Sequence, residues 1–329
     1  MFRSRAIRIA AGAGVSLIFL AGAFYNVRLS EFWSALWEVN VFSLLLCLWF
    51  FILNCVFRAV MWRITSRSLA QAAFPTLFGG VIIGYMANNL LPLRAGELVR
   101  SYYFSVRADV SCTAAFSTVC VERLLDVFSL LLLLMLGLCW GVRGLVPQAA
   151  VVALSFLALV LLIGVLIFTC LARLNSSRQK SPAILLNIQN RVKEFIQPIS
   201  KLQQPKTLVA LIGLSLAAWA SNYVSMLVLI NTGGENQLEA ALLLLLFVNL
   251  GLLVPSTPGA LGVMQVAFCM ALVPFGLLQE QALAHSFAYQ IGIVLLTVAL
   301  GFPYFMGAHL RLNKVPNKVL LNKTDASLN

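Results

Sequence analysis

An all-α polytopic membrane bundle is the fold that the sequence predicts, and three observations predict it. Of its 329 residues, 61% are hydrophobic and only 10% are charged, and the apolar residues gather into long runs. A soluble domain averages about 45–50% apolar and ~25% charged residues, and disorder needs the opposite bias. The runs have the ~20-residue length that crosses about 30 Å of hydrocarbon. The expected architecture is about six full spans plus two oppositely oriented re-entrant helical hairpins, a pattern open to an inverted-repeat reading.

The first run, Ile9–Phe24, follows Arg3, Arg5 and Arg8. A signal peptide would share those flanks, but the later spans favour an uncleaved helix. Trp33 and Trp37 mark an outer aromatic belt, and Val41–Val60 is the second span. Thr76–Leu91 is short and ends in Pro92 and Gly96. Thr113–Trp140 and Ala149–Leu171 are the next full spans.

Residues 172–206 form a basic cytoplasmic linker. Within it, Ser181–Gln197 reads as an interfacial helix with Ile184, Ile188, Val192 and Phe195 on one face. Leu208–Ile230 and Ala284–Ala308 complete the spans. Between them, Ala240–Val254 and Ala260–Pro274 are short arms joined by Pro255-Ser-Thr-Pro-Gly259. Residues 1–310 thus form one transmembrane domain, and 311–329 a basic cytoplasmic tail.

Positive charge on the cytoplasmic side fixes the orientation. With both termini cytoplasmic and Thr76–Leu91 returning to its own side, twenty of the 23 Lys and Arg lie inside. Arg28 and Arg143 lie outside, and Arg123 lies within a span. Arg58, Arg63 and Arg67 count among the inside charges. The second short pair fits a hairpin from outside or two short spans, because its joining loop carries no charge. A multi-pass protein of the cell (inner, cytoplasmic) membrane is expected.

The net charge of +12 is spread in short clusters between apolar runs, which indicates topology and not nucleic-acid binding. The seven cysteines sit in apolar stretches with no C-x-x-C pair, and the two histidines are isolated. No H-E-x-x-H, P-loop or G-x-S-x-G signature occurs. No metal, cofactor or catalytic set is therefore expected, and an enzyme is the less favoured class.

Charges inside apolar segments carry most of the functional information, since each costs roughly 2.5–3.5 kcal/mol at a span's centre. Glu122, Arg123 and Asp126 fall well inside a long apolar run. Glu122 and Asp126 share a helix face at i,i+4, so a cation must sit between them or one must stay protonated. Arg94 and Arg100, beyond the first helix break, are the expected partners. A helix after Gly96 places Glu97, Arg100 and Arg107 on one face and Leu98, Val99, Tyr102, Tyr103 and Val106 on the other. Asn88 and Asn89 would satisfy backbone freed at the break.

The two breaks are weakly alike, each with Asn, an apolar stretch and P-x-x-x-G. Broken helices at corresponding places point to a transporter site near the midplane. Guanidinium groups there suit a lipid phosphate, which they bind by bidentate hydrogen bonds. The plainer alternative is a salt-bridge staple between helices, and a proton path through Glu122 or Asp126 stays open. The pairs Gly80-x-x-x-Gly84 and Gly137-x-x-x-Gly141 read as close helix packing.

Three stretches resemble a known family: Asn88-Asn-Leu-Leu-Pro-Leu-Arg-Ala-Gly-Glu-Leu-Val-Arg100, Val121-Glu-Arg-Leu-Leu-Asp126 and Pro255-Ser-Thr-Pro-Gly-Ala-Leu-Gly262. They are similar to flippase-like membrane proteins related to the transmembrane region of lysylphosphatidylglycerol synthases. The resemblance implies movement of a phosphate-bearing or otherwise amphiphilic lipid between leaflets, with phospholipid, polyprenyl-linked or hopanoid-type lipids as candidates. It implies a substrate site at Asn89, Arg94, Glu97, Arg100, Glu122, Arg123 and Asp126. Pro92, Gly96, Pro255, Pro258, Gly259 and Gly262 would be the re-entrant hinges. The chain stops soon after its last span, which puts aminoacyl-lipid synthesis in doubt. The competing expectation is a membrane-embedded enzyme, or a partner of a separate synthase or glycosyltransferase, in lipid-linked sugar or aminoacyl-lipid synthesis.

Overall fold

The computed structural model describes residues 14–91, 95–139, 204–230, 236–252 and 257–312. Among these residues the secondary structure is entirely helical. The Ala149–Leu171 span, the Ser181–Gln197 interfacial helix, the basic tail beyond 312, Gly141, and Pro92, Arg94 and Pro255 lie outside the described residues.

Helix α1 (Gly14–Ala23) is short and apolar. Helix α2 (Leu29–Glu38) occupies the stretch assigned from sequence to an outer loop and aromatic belt. It buries Phe32 and Ala35 against Ala23, Leu283 and Ala284, and leaves Trp33 and Trp37 exposed. Helix α3 (Val41–Ser66) starts where the Asn40 side chain accepts from the backbone N–H groups of Phe42 (2.9 Å) and Ser43 (3.2 Å). That cap satisfies two of the donors a helix start leaves free.

Helices α4 (Phe74–Leu90) and α5 (Gly96–Ala108) pack against each other as the first helical hairpin. At 1.5 Å per residue they are about 25 and 20 Å long, short of the ~30 Å hydrocarbon core. A Cβ on Gly96 would collide with the Gly84 carbonyl oxygen and the Asn88 side chain. The Asn88 Oδ1 instead accepts the Gly96 backbone N–H at 2.8 Å, so both small residues and the amide are needed to close this turn. The expected close packing at Gly80 and Gly84 is present: a Cβ on Gly80 would come within 2.6 Å of the Trp62 ring.

Helix α6 (Cys112–Cys139) carries the charged triplet. Among the described residues, helix α7 (Pro205–Ile230) makes the most extensive helix–helix interface, with α3. There Ser225 donates to the Cys47 carbonyl (2.9 Å) and Asn54 Nδ2 to the Ala218 carbonyl (2.7 Å). Short polar side chains of this kind link helices where the surroundings are as apolar as the helices.

Helices α8 (Gln237–Gly251) and α9 (Val263–Leu272) form the second hairpin, joined through a 3₁₀ turn at Pro258–Ala260. Helix α10 (Gln279–Leu312), with Pro303 inside it, packs on α2, α4 and α9. Among the described residues, four segments are long and apolar enough to cross a membrane: Val41–Ser66, Pro205–Ile230, Pro258–Phe275 and Gln279–Gly307. The third takes in the second arm of the hairpin, the segment the sequence left open between hairpin and span.

Candidate functional site

The carboxylates of α6 are held by arginines from two other helices. Arg58, about two turns before the end of α3, places Nη1 2.9 Å from Glu122 Oε1 and 2.9 Å from Asp126 Oδ2. This is the cation between two i,i+4 carboxylates that the sequence demands, but it comes from α3. Assigning Arg58 to the cytoplasmic surface is therefore corrected: its side chain is 4% exposed. Its Nε donates to Asn54 Oδ1 at 3.1 Å, one turn earlier on the same helix. The signal available in the sequence was that i,i+4 Asn–Arg pair inside an apolar run.

Arg100 on α5 meets Glu122 as expected, and does so bidentately. Its Nη1 lies 3.0 Å from Oε1 and its Nη2 2.6 Å from Oε2. The guanidinium carbon stands 3.9 Å from the centre of the Trp62 ring, a cation–π contact. Trp62 is itself fixed by Nε1 donating to Thr118 Oγ1 at 2.8 Å. Asp126 accepts a further hydrogen bond from Trp219 Nε1 at 3.1 Å. Neither tryptophan was singled out in the sequence, where both read as ordinary apolar residues.

Arg123 completes the cluster differently. It reaches Glu122 Oε1 at 3.0 Å and Asp126 Oδ2 at 3.3 Å, yet its side chain is 46% exposed. Arg58 and Arg100 are buried and neutralise Glu122 and Asp126 one for one, which leaves the charge of Arg123 in surplus.

Beside the cluster lies a cavity of about 510 Å³, whose wall includes Arg58, Arg100, Arg123 and Asp126. Both helix breaks open onto it: Asn88, Asn89, Gly96 and Glu97 from the first, and Thr257, Gly259 and Ala260 from the second. Glu97 is half-buried and has no ion-pair partner among the described residues. The Arg100 Nε–H is buried with no hydrogen-bond acceptor there. Asn89 Nδ2 donates to Thr297 Oγ1 at 3.1 Å, tying the first break to α10. Val127, Leu130, Met226 and Leu252 make another part of the wall apolar. Helix α5 turns its apolar residues Leu98, Tyr102 and Val106 outward and Arg100 inward. Tyr103, expected with the apolar face, is buried over Arg107 instead.

The second break is built on two glycines with left-handed backbone, Gly259 (φ 71°) and Gly262 (φ 86°). A side chain on Gly262 would run into the α1 backbone at Ser16. A relay of amides holds this turn. The Gly262 N–H donates to Gln265 Oε1 (2.6 Å), Gln265 Nε2 to Gln290 Oε1 (2.7 Å), and Gln290 Nε2 to the Gly259 carbonyl (2.7 Å). Thr257 is bound in turn to Ser16, its backbone N–H lying 3.1 Å from Ser16 Oγ. Of the sequence-derived site, the structure brings Asn89, Glu97, Arg100, Arg123 and Asp126 to one cavity, with Glu122 buried behind it. Gly96 and Gly259 line the same space, Pro258 begins its 3₁₀ turn, and Gly262 packs against α1.

Comparison with known proteins gives one family and several distant relatives. The family described as the lysylphosphatidylglycerol synthase TM region matches residues 7–301. Glycosyltransferase AglD of Haloferax volcanii is 23% identical over 337 residues, covering 88% of this chain and 54% of that protein. Two UPF0104 membrane proteins of Methanocaldococcus jannaschii match shorter stretches. MJ1595 is 30% identical over 34% of this chain and 34% of its own length. MJ1078 is 26% identical over 40% of this chain and 55% of its own. The chain therefore spans about half the length, or less, of the relatives it matches. With nearly its whole length matched, it is a membrane protein belonging to the lysylphosphatidylglycerol synthase transmembrane-region family.

Proposed function

We propose that this protein moves a phosphate-bearing lipid between the leaflets of the cell membrane, with both termini cytoplasmic and the two hairpins entering from opposite sides. The observation that carries the reading is the half-exposed guanidinium of Arg123 on the wall of a cavity where two broken helices meet, with Glu97, unpaired among the described residues, on the same wall. A phosphate leaving interfacial water needs directed donors to replace its hydration. Arg123 supplies them, while Asn89 and Glu97 face the rest of the headgroup. Arg94, three residues before Glu97, is a further donor in this reading. Glu122 and Asp126 hold the arginines in place. The apolar wall receives the start of the lipid chains. Gly96, Gly259 and Gly262, with Pro92, Pro255 and Pro258, are the hinges.

The test is headgroup accessibility in vesicles containing the purified protein and fluorescent lipids. Arg123→Gln is expected to abolish protein-dependent flipping of phosphate-bearing lipids while the protein still folds. Normal flipping by that variant would overturn the reading. A second reading, a part in lipid-linked sugar synthesis beside a separate glycosyltransferase, draws on the similarity to AglD. It predicts no flipping by the purified chain alone, and rescue of glycolipid formation only when a partner is added.

A further inference from the structure

We propose that a second cavity, toward the other end of the bundle, binds a neutral polyhydroxylated group such as a sugar. It measures about 530 Å³, within the ~300–1,000 Å³ typical of small-molecule sites. It forms where the C-terminal ends of α2 and α7 meet the N-terminal ends of α3, α8 and α10. Ser43 in its wall stands about 22 Å along α3 from Arg58, at 1.5 Å per residue, so this space is separate from the arginine cluster. The proposal does not rest on lipid movement.

The lining chemistry selects the ligand. Among the described residues it contains no Lys or Arg, so a phosphate finds no cationic side chain there. Its polar groups include both spare acceptors and spare donors. Glu38 offers a carboxylate with no ion-pair partner among the described residues. His285 Nδ1 lies 2.9 Å from the Gln281 carbonyl. A carbonyl only accepts, so Nδ1 carries the hydrogen and the neutral ring leaves Nε2 as an acceptor. Gln237 uses its NH₂ on the Leu227 carbonyl (3.0 Å) and keeps Oε1. Asn40 spends Oδ1 on the α3 cap and keeps its NH₂, and Gln281 likewise keeps its own. Each hydroxyl both donates and accepts, so a polyol matches this mixed set, whereas an ammonium leaves the donors unused. Glu38 is also an acidic residue at a helix C-terminus, where the dipole disfavours it, so the fold gains nothing from its charge.

The test uses the purified full chain in lipid nanodiscs and saturation-transfer NMR with methyl mannoside, methyl glucoside and N-acetylglucosamine. Choline and inorganic phosphate serve as counter-probes. At least one glycoside is expected to give transfer, with affinity falling about tenfold in Glu38→Leu and in Asn236→Leu, Asn236 being also in the cavity wall. Neither change removes a cap, since Glu38 is exposed and Asn236 makes no capping bond. Ser34→Ala, on the exposed part of α2, leaves binding intact. A glycolipid in the nanodisc that displaces the methyl glycoside identifies a membrane-borne sugar, and absence of displacement a soluble one; either result upholds the site. No transfer from any glycoside, stronger transfer from choline or phosphate, or wild-type affinity in both variants would overturn it.

Discussion

The Arg58 guanidinium reaches both oxygens of Asp126, at 2.9 and 3.1 Å, through a single nitrogen that also touches Glu122. One buried cation thereby joins α3 to α6, and Asp126 passes the link to α7 through Trp219. These three helices form one side of the cavity. The hairpins α4–α5 and α8–α9 pack beside them, and among the described residues only Arg100 crosses from a hairpin into the ion cluster.

Arg58→Met is expected to reduce stability sharply, by on the order of 3–5 kcal/mol, because it leaves two buried carboxylates with one buried partner. Thermal unfolding in detergent, followed by loss of monodisperse protein, measures this. Adding Asp126→Leu removes the orphaned charge, so the double variant should recover much of the loss. A single variant as stable as the parent would show that Arg58 is not the balancing cation.

The membrane class, the helix breaks and the charge cluster on α6 were legible because each leaves a local mark: run length, a Pro–Gly interruption, charge in an apolar run. Arg58 was not legible, since a lone arginine near the end of a span also fits the cytoplasmic surface. Deciding between the two needs the position of Glu122, which is 64 residues away. Gln265 and Gln290 were missed for the same reason, because a single amide in an apolar helix announces no partner. Helix α2 escaped detection because it is short and buries only Phe32 and Ala35.

Gly96→Ala should damage the first hairpin more than an ordinary helical Gly→Ala change, which is usually favourable or neutral away from such contacts. Here the added methyl meets the Gly84 carbonyl, which is fixed backbone, and the amide that closes the turn. Overpacking of this kind costs about 1–3 kcal/mol. Gly213→Ala is the control, since nothing lies within 4 Å of the place its methyl would take. Equal melting temperatures for the two variants would show that α4 and α5 separate easily.

Gln290→Met keeps the side-chain volume but removes both ends of the relay. The Gly259 carbonyl loses its donor and Gln265 Nε2 its acceptor, at roughly 1–3 kcal/mol for each buried group left unpaired. The expected result is faster hydrogen exchange confined to residues 257–265, with α3 and α7 unchanged. Unaltered exchange in that segment would show that the turn is held by Ser16 and Thr257 instead.

Lysine substitutions separate the roles of Arg100 and Arg123. Both keep their positive charge as lysine, but lysine offers no planar fork and stacks poorly on an indole. Arg100 is 5% exposed, bidentate to Glu122 and packed on Trp62, so Arg100→Lys should lower stability first and transport only in step with it. Arg123 is 46% exposed, and pairs that open to solvent contribute about 0–1 kcal/mol. Arg123→Lys should therefore unfold near the parent temperature yet flip phosphate-bearing lipids several-fold more slowly per folded molecule. The measurement is initial flipping rate against folded fraction for each variant. If Arg123→Lys flips normally while Arg100→Lys folds normally and fails to flip, the phosphate belongs on Arg100, and Arg123 is only a brace for Asp126.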